Sequence, residues 1–111
     1  MHNLPILALD FETFYAPKYT LSSMTTKEYV LDPRFKIHGV GVRYVHEPGP
    51  SRWIAGHEAA VAYLQSIDWE QTAVLCQNAN FDVFILMQRL GIKPAGSARA
   101  KNSSKLTASG T

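Results

Sequence analysis

Apolar residues fall in short blocks separated by polar loops and helix breakers. Pro5-Ile6-Leu7-Ala8-Leu9 is an unbroken apolar run that ends at Asp10, and it predicts a buried strand covered on both faces. Residues 14–34 read as a loop-rich insertion broken by Pro17, Ser22, Ser23, Asp32 and Pro33. Within it, Thr25-Thr26-Lys27-Glu28 can start a short helical turn through Tyr29 and Val30. Phe35 to Tyr44 alternates enough for a strand, and Glu47-Pro48-Gly49-Pro50 is a turn. Arg52-Trp53-Ile54 supplies a hairpin partner.

From Gly56 to Ile67 the pattern changes period. Ala60, Val61, Leu64 and Ile67 recur every three or four residues and predict one apolar helix face. Ala73-Val74-Leu75-Cys76 is a second buried strand. Phe81 to Leu90 is a second helix, capped by Asn78 or Asn80 and ended by Gly91, with Pro94 barring continuation. From Ala95 onward Ser, Ala, Gly, Thr, Asn and Lys dominate and no strand or helix signal is visible. The order is α/β, with an antiparallel start and a parallel strand after a crossover. The expected organisation is a domain over residues 1–94 and a basic, disordered tail over residues 95–111.

Composition narrows the classes. At 111 residues and 46% apolar the chain can bury one modest core. No apolar stretch approaches the ~18–20 residues of a membrane span. The start, Met1-His2-Asn3-Leu4, lacks a basic signal-peptide region, and the single Cys76 cannot form an internal disulfide. A cytoplasmic location without membrane contact is expected. The four histidines and Cys76 show no zinc spacing. Charge is asymmetric: residues 1–82 carry all nine acids and net −3, whereas residues 83–111 carry five bases, no acid and net +5. A basic tail can contact phosphates or stay solvated.

The candidate chemistry lies in three carboxylates. Asp10 and Glu12 stand at i and i+2, so on an extended backbone they share a face. Two like charges there are tolerable with cations between them, and hard oxygen ligands suit Mg²⁺ or Mn²⁺. The same pair can also face solvent at a strand end. Asp82 falls in the first turn of an apolar helix, where the helix dipole and capping alone favour an acid. Both acidic segments follow buried strands, however, and ligand sites in such sheets gather at the carboxyl ends of strands. Gly39-Val40-Gly41 is not a phosphate loop; strand glycines at close packing explain it. Trp53 and Trp69 read as core or half-buried anchors, with base stacking the alternative, and Cys76 as an inert buried thiol.

Leu7-Ala8-Leu9-Asp10-Phe11-Glu12-Thr13 resembles the first motif of the DEDD 3′–5′ proofreading exonucleases, and Asn78-x-x-Phe81-Asp82 resembles their second. Tyr19-Thr20-Leu21-Ser22, Tyr29 to Phe35 and Asp68-Trp69-Glu70 also look like the N-terminal exonuclease region of phage-type DNA polymerases. The likeness covers roughly residues 4–94. It implies a partial ribonuclease-H-like fold, a mixed sheet flanked by helices. It also implies two-metal Mg²⁺ or Mn²⁺ hydrolysis at the 3′ end of single-stranded DNA. Asp10, Glu12 and Asp82 would be catalytic metal ligands. Phe11 would offer a backbone contact and Thr13 a polar contact to the terminal nucleotide. Asn78 would orient the second-motif loop, and Phe81 would pack beside the substrate channel.

The family's third motif, an Asp with a Tyr or His four or five residues before it, has no counterpart. After Asp82 there is no Asp, Glu, Tyr or His. A domain cut short near Pro94, with weak or no activity of its own, is therefore expected, in the host cytoplasm if phage-derived. The alternative is a non-catalytic remnant that binds DNA, a polymerase domain or another copy of itself. Another ribonuclease-H-like nuclease, such as a resolvase, fits the Asn-x-x-Phe-Asp segment less well.

Overall fold

The computed structural model describes residues 4–100 and, as backbone, 106–108. Along the chain lie β1 (Ile6–Thr13), α1 (Thr26–Leu31), β2 (Ile37–Tyr44), β3 (Arg52–Ala55), α2 (His57–Gln65), β4 (Ala73–Cys76) and α3 (Ala79–Phe84). A π-helical turn (Ile85–Arg89) extends α3, and β5 (Gly96–Ala100) and β6 (Leu106–Ala108) follow. The sheet runs β3-β2-β1-β4-β5-β6. β1 is antiparallel to β2 and parallel to β4; β4 is parallel to β5, which is antiparallel to β6. The class is α/β with a mixed sheet, antiparallel first and then parallel.

Local chemistry accounts for the helix ends. Thr25 and Glu28 form a capping box: Thr25 Oγ1 accepts from the Glu28 N–H at 3.1 Å, and Glu28 Oε1 accepts from the Thr25 N–H at 2.9 Å. Asn78 Oδ1 accepts from the Phe81 N–H at the start of α3. Gly91 stops that helix at φ +69°, a left-handed conformation that side chains resist, and the Ile92 N–H returns to the Leu86 carbonyl at 2.7 Å. Below α2, Trp69 is buried and its indole N–H donates to the Leu64 carbonyl at 2.6 Å.

The core lies on one side of the sheet. Alternation along the strands turns Leu7, Leu9, Phe11, Val40, Val42, Val74 and Cys76 inward. They pack in one cluster with Tyr29 and Val30 of α1, Ala60 and Leu64 of α2, and Phe81, Ile85 and Leu86 of α3 and its extension. Burying each large apolar side chain contributes about 1.5–3 kcal/mol. On the other face Ile6, Ala8 and Leu75 are only half-buried, and Asp10 and Glu12 are exposed. The first strand is thus not covered on both faces as its apolar run predicts. Ile6 and Ala8 continue the run chemically but point to the open side.

Residues 96–100 and 106–108 depart from the expected disordered tail, because they form the strands β5 and β6, which pair with each other. Gly96-Ser97-Ala98-Arg99-Ala100 has no β-branched or aromatic residue, so propensity gives no signal. What holds it is the unpaired edge of β4, against which Ala73 to Cys76 pair with Gly96 to Arg99. The Ala95 N–H donating to Thr72 at 3.0 Å leads the strand in. The expected disorder of residues 101–105 and 109–111 lies outside the described residues. Among the described residues no helix is long and apolar enough to cross a membrane.

Candidate functional site

The difference in length between β1 and β4 creates the site. Their pairing runs from Ile6↔Ala73 to Leu9↔Cys76 and stops there, while β1 continues to Thr13. Asp10 to Thr13 therefore overhang the carboxyl end of β4. The chain leaving β4 turns at Gln77, Asn78 caps α3, and the first turn of that helix carries Asp82 into the gap. Asp82 is only 1% exposed, and its Oδ2 has no hydrogen-bond partner among the described residues. A buried carboxylate oxygen left bare is costly, so it marks a place where another charge or donor would be favoured.

The electrostatics show which groups meet. Burial, and then the negative charge of Asp10, push the Asp82 carboxyl up to about 7; Glu12 adds a smaller upward push. The backbone N–H groups of Asn78 and Phe11 oppose this by stabilising the anion. The Cys76 thiol, at the end of β4, is raised by burial and then by Asp82 and Asp10, which keeps it unreactive. Asp82 thus lies within the field of Asp10 and Glu12 at one end of the sheet. Among the described residues no other carboxylate contributes to the Asp82 shift.

As a metal centre the set fits in kind but not in closeness. Three hard carboxylates, one holding a buried bare oxygen, have the donor chemistry for Mg²⁺ or Mn²⁺. Yet among the described residues no group of three or more His, Cys, Asp or Glu side chains stands close enough to hold an ion as they lie. The convergence predicted from the motifs is therefore loose. Strand alternation turns Asp10 and Glu12 to the exposed face, whereas Asp82 is buried on α3 beside the core.

The remaining predicted residues divide. Phe11 keeps its side chain in the core and turns its N–H toward Asp82. Asn78 holds the loop by capping α3. Thr13 Oγ1 is tied to the Tyr29 hydroxyl at 2.9 Å, and that hydroxyl also donates to the Phe14 carbonyl. Phe81 is buried, its ring 6.1 Å from that of Tyr29. Tyr29 thus braces the end of β1 from α1, a contact between segments fifteen or sixteen positions apart that no local pattern announces. Trp53, expected to be an anchor, is instead 54% exposed on the open face. Compared with known proteins, the chain matches no family model, no curated protein and no solved structure.

Proposed function

We propose that this chain is a ribonuclease-H-like, metal-dependent phosphodiesterase domain of the 3′–5′ exonuclease type, acting on single-stranded DNA as the proofreading region of a phage-type DNA polymerase. One observation carries the reading: Asp82 is buried with a bare oxygen where β1 outruns β4, within the field of Asp10 and Glu12. The mixed sheet and the motif order support it. Asp10, Glu12 and Asp82 would hold Mg²⁺ or Mn²⁺, which supplies an activated water and neutralises charge at the leaving oxygen. The chain's own contribution is positional. The Phe11 and Asn78 N–H groups favour ionised Asp82, and Tyr29 holds Thr13 beside the strand end where a terminal nucleotide would lie.

With three loosely gathered carboxylates, hydrolysis is slow. Loss of one member of a coordinated set costs about three to five powers of ten. The test is 3′ shortening of a labelled single-stranded oligonucleotide in Mn²⁺. Trace digestion that disappears in each of Asp10→Ala, Glu12→Ala and Asp82→Ala supports the assignment, as does digestion restored by adding a segment that supplies a fourth Asp. Robust digestion indifferent to all three substitutions removes it. The second reading, a non-catalytic binding module, draws on the open sheet face carrying Ile6, Ala8 and Leu75. Tight oligonucleotide binding with no hydrolysis in any metal would favour it.

A further inference from the structure

The sheet register places three residues in one row. Asp10 pairs with Gly41, and Gly41 pairs with Trp53. Paired residues share a face, so the Asp10 and Trp53 side chains rise on the open side with a glycine between them. Two strand spacings separate their backbones by about 10 Å. A Cβ on Gly41 would meet nothing nearer than the Asp10 carbonyl at 4.0 Å, so the floor between them is clear. Gly39 plays the opposite part. A Cβ there would fall 2.2 Å from Trp53 Cζ2 and 2.8 Å from the Ile54 carbonyl. The indole therefore leans over Gly39 and leaves the space above Gly41 empty.

This slot belongs to a cavity of about 400 Å³ that Ala8, Leu75 and Gln77 also line. That volume is within the ~300–1,000 Å³ range of small-ligand sites. Its chemistry is uneven: an exposed indole at one side, a flat floor of small residues, an amide at Gln77, and the exposed Asp10 carboxylate at the other side.

We propose that the slot holds one nucleobase of a single-stranded nucleic acid, stacked against Trp53 above Gly41, with its sugar-phosphate end toward Asp10. The proposal rests on reading the Asp10, Glu12 and Asp82 site as one that acts on phosphodiesters. A purely apolar partner would have to desolvate Asp10, which is unfavourable, whereas a nucleotide can turn a sugar hydroxyl to that carboxylate and share a divalent cation between it and the phosphate. An indole face accepts any base, so binding is tolerant of sequence. Gly39 and Gly41 have separate tasks on this view: one seats the indole, the other keeps the slot open.

The test is titration with a 5′-labelled oligothymidylate in Mn²⁺, read by anisotropy and by tryptophan emission. Trp69 is buried, so emission quenching reports Trp53. The variants are W53A, D10N and G41V, the last of which has room to fold and is checked by an unchanged melting temperature. Quenching of the wild-type protein is expected, with affinity lowered about fivefold to a hundredfold in W53A, the worth of stacking one base. G41V should lose a similar amount by filling the slot. Binding that W53A and G41V leave unchanged but D10N weakens overturns the slot and leaves the carboxylate reading standing. Binding that needs Trp53 and Gly41 but ignores both Mn²⁺ and D10N overturns the carboxylate reading and keeps the slot. Absence of any binding overturns both. Self-association abolished by W53A would assign the face to a second copy and overturn the nucleobase.

Discussion

Replacing Asp82 by Asn isolates the charge on which the site depends. In the folded protein the Asp82 carboxyl keeps its proton up to about pH 7, through burial and the charge of Asp10, while the ordinary value is 3.8. Below about pH 4 both states are protonated, and Asp82 makes no difference to stability with pH. Between about 4 and 7 the unfolded chain has released a proton that the folded chain retains, so stability falls as pH rises. Each unit of pKa difference is worth about 1.36 kcal/mol, so about three units correspond to a loss of about 4 kcal/mol, complete once the pH exceeds the folded value. That is a large share of the ~5–15 kcal/mol that holds a domain together. Asp82→Asn has nearly the same shape and cannot ionise. Its stability relative to wild type should therefore climb by up to about 4 kcal/mol from pH 4 to pH 7 and then level off. Urea unfolding at half-unit pH steps in EDTA measures the difference, and other titrating groups cancel in it. Parallel curves for the two proteins would show that Asp82 is not held in an anion-disfavouring site, and the argument for a cation there would go with it. Mn²⁺ should flatten the wild-type curve, because a cation favours the ionised form.

Mn²⁺ should also raise the wild-type melting temperature modestly, and Asp10→Ala should lose that rise; an equal rise in both proteins would mean nonspecific binding. Tyr29→Phe removes the hydroxyl that meets Thr13 and the Phe14 carbonyl, and should cost about 1 kcal/mol or somewhat more by urea unfolding. No measurable cost would show that the brace at the end of β1 is not holding. Gly39→Ala should destabilise by about 1–3 kcal/mol, because its methyl collides with Trp53 and the Ile54 carbonyl. Gly41→Ala should be neutral within about 0.5 kcal/mol, since the space above it is empty. Equal costs at the two glycines would contradict the placement of the indole.

The sequence by itself determined what short-range chemistry can specify. The capping box at Thr25 and Glu28, the Asn78 cap and the Gly91 stop act within a turn of helix, and their residues are adjacent in the chain. The three-and-four spacing of Ala60 and Leu64, and the strands at Ile6, Ile37, Arg52 and Ala73, follow from periodicity in the same way. The candidate acids, and their place at the carboxyl ends of two strands, were visible in the sequence, but how they are arranged there was not. That depends on β4 ending at Cys76 while β1 runs to Thr13, a length mismatch between segments about sixty positions apart. Only the assembled sheet decided that Asp82 would be buried against the Phe11 N–H, or that Asp10, Gly41 and Trp53 would share a row. The strand at Gly96–Ala100 has the same origin: its residues carry no strand preference, and the free edge of β4 imposes the conformation. The order of elements already called for a parallel strand after the crossover, but register is set by contacts distant in sequence, so no local pattern encodes it. One-sided burial is likewise settled by where the helices pack, because Ile6 and Ala8 are apolar whichever face they are given.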